Sequence, residues 1–206
     1  MISSKRSSLL AGVRLADEIP LLVAATLHAF DTDFRPTESK RENKITLQLV
    51  YALRRLQAKE NWLWLADFAI NSQADELDEA NEAYKGNTDI SFQLGGHGSF
   101  IWECKRLRFE GKSLYGEYRK EGMKRFISGK YAEHQRHGGM LGFVMDGDVK
   151  QAVGGIGKHI DKNSSELGFL SESFRACAEP ADPRLHVSNH SGSRDLVLYH
   201  CFLPIS

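Results

Sequence analysis

Residues 88–94 (Thr-Asp-Ile-Ser-Phe-Gln-Leu) and 100–107 (Phe-Ile-Trp-Glu-Cys-Lys-Arg-Leu) flank the glycine-rich turn Gly95-Gly96-His97-Gly98. Each run alternates apolar and polar residues, which is the period of a strand with one buried face. Ile90, Phe92 and Leu94 share one face of the first strand, and Phe100, Trp102 and Cys104 share one face of the second. Directly opposed residues point the same way, so the two apolar sets face each other. A three-residue loop, Gly95 to His97, meets that condition. It pairs Leu94 with Gly98, Phe92 with Phe100 and Ile90 with Trp102, and it sets Asp89 across from Glu103.

The alternation that buries the apolar face therefore gathers acids on the other one. Like charges opposed on a sheet repel, so the pair calls for a cation between them. Lys105 projects from the same side as Glu103. Two carboxylates and a lysine on a rigid hairpin make a divalent-metal site of the kind phosphodiester hydrolysis requires. The competing reading is plain. Glu-x-Lys recurs at Glu42-Asn43-Lys44, and Glu103 and Lys105 would then be a surface ion pair of small energetic weight.

With this order of elements the chain resembles the PD-(D/E)XK nuclease superfamily. Asp89 matches the motif aspartate, Glu103 the second acid and Lys105 the lysine, with Thr88 where the pattern often has proline. The resemblance spans roughly residues 39 to 147. It implies an α/β fold with a restriction-endonuclease-like core, a central mixed four- to five-stranded sheet flanked by helices. It also implies Mg²⁺, with Mn²⁺ as substitute, bound by Asp89, Glu103 and the carbonyl of Cys104. Lys105 would hold or help deprotonate the attacking water. DNA is the substrate implied, in a small standalone prokaryotic enzyme of phage defence or repair working with partner proteins. Homodimers are frequent among members that cut both strands. The rival is a non-catalytic subunit of the same fold that binds nucleic acid or supports assembly.

The rest of the chain fills this frame. At 206 residues it has the length of one domain, read as an N-terminal helical extension (1–38) and a nuclease-like domain (39–206). An apolar helix over residues 9–30, interrupted at Pro20, precedes a polar connector. Ser39-Lys40-Arg41-Glu42 has the form of a capping box, before a helix with Ile45, Leu49, Ala52, Leu53 and Leu56 in its stripe. Glu42 is then either the capping partner or an acid that joins the metal site. Residues 62–70 read as the first strand of the meander, and residues 75–82 as an acidic loop or exposed helix.

Overall charge is balanced, with 27 basic and 27 acidic residues. Residues 105–136 nevertheless hold ten Lys or Arg against four Asp or Glu. Local positive charge of this kind suits phosphate, and Arg119, Arg125, Lys130 and Tyr131, beside Tyr118, are the candidate nucleic-acid contacts. Gly116, Gly122 and Gly129 interrupt this helical stretch. A fourth strand is expected over residues 139–145, then a helix capped by Asp148 with Val149, Ala152, Val153, Ile156 and Ile160 buried. A polar segment (179–194) leads to a last strand over residues 196–203, with His190 and Arg194 in its approach.

Other constellations fail on their residues. Gly154-Gly155-Ile156-Gly157-Lys158 lacks the first glycine of a phosphate loop, at Ala152, and has His159 in place of the magnesium-binding Ser or Thr. His134-x-x-His137 and His186-x-x-x-His190 lack the accompanying Glu or Cys pair of a zinc site. Three separated cysteines and no membrane-length apolar run fit a reduced, cytoplasmic chain with no membrane partner.

Overall fold

A computed structural model describes residues 2–35, 38, 40–78, 83–95, 98–108, 114–131, 135–170, 173–191 and 194–205, with the backbone alone for 2–14, 73–78 and 83–87. The fold is α/β. A seven-stranded mixed sheet runs in the order β1-β2-β3-β4-β7-β6-β5, wider than the four to five strands expected. The strands are β1 (Phe68–Asp78), β2 (Ala83–Leu94), β3 (Ser99–Leu107), β4 (His137–Val144), β5 (Arg175–Ala176), β6 (Leu185–His190) and β7 (Leu196–Pro204). β1, β2 and β3 form an antiparallel meander, β4 joins β3 and β7 in parallel, and β6 and β5 close the far edge antiparallel.

One face carries α1 (Ile2–Asp33) and α2 (Glu42–Gln57). Leu15, Ile19, Leu22 and Val23 of α1 share a core with Ile45, Leu49 and Leu53 of α2 and with Phe92, Phe100 and Trp102 of the sheet. The N-terminal segment is thus part of the main core. α1 also runs unbroken through Pro20. A proline leaves the carbonyl four residues back without its helical partner, but the buried side chains on either side hold the helix by packing.

The other face carries a continuous helical segment made of α3 (Tyr115–Glu117), a π-helical turn (Tyr118–Met123) and α4 (Lys124–Ile127), followed in sequence by α5 (Val149–Lys162) and α6 (Ser164–Leu167). Asp148 caps α5 by accepting the Gln151 N–H at 2.9 Å. Ala152, Ile156 and Ile160 are buried, with Val149 and Val153 packed beside them, as the stripe predicts.

Three local expectations are corrected. Residues 62–67 belong to a 3-10 helix, Glu60–Asp67, and β1 starts only at Phe68. Trp62, Trp64 and Phe68 form successive ring contacts there, so aromatic packing mimics strand alternation. Asp75 to Asp78 are strand, paired with β2 in a ribbon; a ribbon satisfies its backbone without needing a buried face. Arg41, not Ser39, precedes the first turn of α2, with no side-chain cap; Ser39 itself lies outside the described residues, as do Gly96, His97 and His134.

The close fit of β3 on β4 makes a stability prediction. Gly139 lies opposite Trp102, and an added Cβ would sit 2.7 Å from Trp102 Cδ2. The indole is fully buried and donates from Nε1 to Thr26 Oγ1 of α1 at 3.2 Å, so it has nowhere to retreat. Gly139→Ala is expected to destabilise by about 1–3 kcal/mol, lowering the melting temperature by roughly 2–4 °C per kcal/mol. Thermal denaturation checks this, and an unchanged midpoint would show that the indole does yield.

Candidate active site

The site begins with a fork in the sheet. In an antiparallel pair, alternate residues turn their N–H and C=O groups toward the same neighbour. Phe100 and Trp102 of β3 face β2 in this way, opposite Phe92 and Ile90. The described pairing of β2 with β3 ends there, while β2 continues along β1. The next two amides on that edge, Cys104 and Arg106, are met by carboxylates instead. Cys104 N–H donates to Asp89 Oδ2 at 2.7 Å, and Arg106 N–H donates to Glu42 Oε2 at 2.9 Å. The predicted register holds, and it delivers Asp89 to the fork.

Glu103 lies on the alternate face, 1 % exposed. Its Oε1 accepts from Lys105 Nζ at 2.7 Å and from Arg125 at 2.9 Å. Its Oε2 is buried and has no hydrogen-bond partner among the described residues. Lys105 Nζ also donates to the Cys104 carbonyl at 2.9 Å and lies 3.6 Å from Glu42 Oε1. Arg125 reaches the Tyr131 hydroxyl at 2.7 Å and Glu121 at 3.4 Å. Gly122, within the π-helical turn, lets this segment lie close: a Cβ there would sit 3.2 Å from Met140 Sδ and 3.7 Å from Glu103 Cγ.

Asp89, Glu103 and Glu42 with Lys105 and Arg125 carry one net negative charge when fully ionised, and exposed Glu121 adds another at the rim. Burial pushes the Glu103 carboxyl up to about 7, with Asp89 adding to the rise. Burial also raises Asp89, against the pull of Lys105 and the Cys104 N–H. For Lys105, burial opposes the charge, but Glu103, Glu42 and Asp89 together outweigh it and raise its pKa. The lysine is therefore held as an ammonium.

These residues fit a hard divalent cation. The donors are carboxylate and carbonyl oxygens, and the buried Oε2 of Glu103 is an acceptor that none of the described residues satisfies. Asp89 Oδ1 takes no hydrogen bond among the described residues. No group of three His, Cys, Asp or Glu forms a ready cage among the described residues. Mg²⁺ keeps several waters and is commonly held by one or two carboxylates.

Access is open on both sides of the α2 N-terminus. A cleft of about 550 Å³ is lined by Arg41, Glu42, Lys44, Lys105, Glu121 and Arg125, among others. A smaller hollow of about 270 Å³ holds Asn43, Ser72 and Asp89.

The proposed nucleic-acid contacts divide. Arg119 is 7 % exposed and spends its guanidinium on His159, at 3.1 Å, and Glu166, so it is structural. Tyr131 is 1 % exposed and braces Arg125. Arg125 lines the cleft but grips Glu103, a role its place in a basic run did not reveal. Lys130 stays exposed, beyond the turn at Gly129, φ +75°. Arg194 donates to the carbonyl of Phe126 at 2.8 Å.

Of the two histidine spacings, His134 with His137 includes a residue outside the described ones, and His190 of the other is committed within the fold. His190 and His200 belong to a buried chain: the Tyr118 hydroxyl meets His200 Nδ1 at 2.9 Å, His200 Nε2 meets Ser188 Oγ at 2.7 Å, Ser188 Oγ meets His190 Nε2 at 2.8 Å, and His190 Nδ1 meets the Leu167 carbonyl at 2.9 Å. Burial holds His200 well below its ordinary pKa, so the chain is neutral. It ties the π-helical turn to β6 and β7. All three cysteines are buried and unpaired, and no helix among the described residues is long and apolar enough to cross a membrane. Comparison with protein-family models, with curated proteins and with solved structures found no match for this chain.

Proposed function

We propose that this chain is a Mg²⁺-dependent nuclease hydrolysing DNA phosphodiester bonds, with Asp89, Glu103 and Lys105 at its centre. The observation that carries the reading is Glu103, 1 % exposed, with Oε1 fixed by two cations and Oε2 unsatisfied among the described residues. A buried ionisable cluster with strongly shifted groups, opening on a cleft, is the usual mark of a reactive site. A restriction-endonuclease-like core within the seven-stranded α/β sheet belongs to the proposal, and the order of α2, the β1–β2–β3 meander, the helical segment and β4 supports it.

Asp89, Glu103 and the Cys104 carbonyl would hold the metal, which supplies Lewis-acid polarisation of the phosphoryl oxygen and a more acidic bound water. Lys105, kept charged by three carboxylates, donates to the attacking water or to the phosphoryl oxygens instead of taking a proton. Glu42 positions Lys105 and fixes the strand edge through Arg106. Arg125 holds Glu103 in register from the opposite side. DNA as substrate, a defence or repair setting, partner proteins and a homodimer remain parts of the proposal that the resemblance supplies.

Purified protein incubated with supercoiled, linear and single-stranded DNA, in Mg²⁺, Mn²⁺ or EDTA, tests it. Cleavage is expected with either metal, not with EDTA, and is lost in Asp89→Ala and Lys105→Ala. Cleavage surviving both substitutions would overturn the site. Binding without cleavage by folded protein would favour the non-catalytic subunit.

A further inference from the structure

Away from the cleft, α5 presents a ridge at positions 150, 154, 158 and 162, four residues apart and so on one side of the helix. Lys150, Gly154, Lys158 and Lys162 are all exposed there. With Tyr115 and Gly155 they line a groove of about 600 Å³. The three lysines span about 18 Å along the helix and have no ion-pair partner among the described residues. The nearby acid Glu166 is already taken by Arg119 and Lys124.

The glycines of α5 add an independent observation. Gly155 is explained within the protein, because a Cβ there would overlap the Tyr115 ring. Gly157 faces Phe174, whose ring carbons would lie 3.2 Å from a Cβ. Gly154 has no such neighbour among the described residues: a Cβ would meet no atom within 4 Å, and its backbone is ordinary helix. Glycine weakens a helix interior, and its place between Lys150 and Lys158 leaves a bare backbone that a ligand could approach closely. Gly116, next to Tyr115, is open in the same way.

We infer that this groove is a second contact for the phosphodiester backbone of the nucleic acid that enters the cleft. The choice of ligand rests on the nuclease reading. Unpaired cations in a row match a polyanion, and a bare helix backbone lets its sugar-phosphate chain lie close. The helical segment links the two places, with Tyr115 at the groove, exposed Lys120 beyond it and Arg125 at the cleft.

Binding of the full chain to a labelled duplex, followed by fluorescence anisotropy in EDTA across a salt series, reads the groove without needing cleavage. The triple variant Lys150→Gln, Lys158→Gln, Lys162→Gln is expected to bind at least about tenfold more weakly, with a salt slope shallower by about 2 to 3. Gly154→Gln is expected to raise the melting temperature yet weaken binding, a combination a purely structural glycine would not give. A triple variant with wild-type affinity and slope overturns the inference, as does a wild-type chain that binds no duplex. Loss of binding to anionic vesicles with duplex binding intact would overturn it in favour of a membrane surface. Duplex binding through the lysines with no metal-dependent cleavage would sink the nuclease reading and leave the groove standing.

Discussion

Lys105→Met is expected to slow metal-dependent cleavage by roughly 10²–10³-fold, the range for losing one preorganised group aimed at developing charge. Methionine keeps most of the length and apolar stem and removes only the ammonium. That ammonium is 12 % exposed, lies 2.7 Å from Glu103 and 2.9 Å from the Cys104 carbonyl, and is surrounded by three acids. Its charge is thus placed where a pentavalent phosphorus would gather negative charge. Folding is expected to survive, because Arg125 still neutralises Glu103 Oε1 and a carboxyl already shifted upward takes a proton readily. Single-turnover cleavage rates beside far-ultraviolet circular dichroism make the check. A folded variant within a few-fold of the wild-type rate would remove Lys105 from the mechanism.

The second large effect is on stability and has a definite sign. Glu103 titrates near 4.5 in an unfolded chain and at about 7 when folded. Between those values the folded protein binds more protons, so stability from this group is fully present below pH 4.5. It is lost as pH rises through 7. The gap corresponds to about 3 kcal/mol. Buried neutral histidines such as His200 and His190 act in the opposite direction on acidification, so the wild-type profile alone mixes the two. Comparing wild type with Glu103→Gln in EDTA separates them. Relative to wild type, the Gln variant is expected to gain about 2.5 kcal/mol between pH 5 and pH 8, read from denaturant midpoints. A difference that stays flat across that range would show that Lys105 and Arg125 keep Glu103 ionised throughout. Adding Mg²⁺ at pH 8 should raise the wild-type midpoint and leave the variant's nearly unchanged.

The hairpin was the most legible part of the chain because its register follows from alternation alone. Ile90, Phe92, Phe100 and Trp102 can share a face in only one pairing, and Asp89 is carried along with them. The bond from Arg125 to Glu103 was not legible, because sequence gives the charge of a residue but not its partner, and Glu103 lies 22 positions earlier. β6 was missed for a different reason. His186, Ser188 and His190 alternate with Leu185 and Val187, as on a half-exposed strand, and two prolines precede them. The structure instead buries Ser188 and His190 against His200 and Leu167, so polar residues there satisfy one another inside the fold. The first strand failed at Trp62 and Trp64, where large rings repeat at a spacing shared by strands and tight helical turns.

The fork at Asp89 has a consequence for how this protein tolerates change. The carboxylates on Cys104 and Arg106 stand in for a missing strand, so the centre of the molecule contains a latent sheet edge kept closed by two side chains. Asparagine at position 89 could still accept the Cys104 amide, whereas alanine would leave that amide unpaired while Glu42 still holds Arg106. Loss of activity and loosening of the edge are thereby separable at a single residue: the charge serves the reaction, and the oxygen shares with Glu42 the closing of the edge.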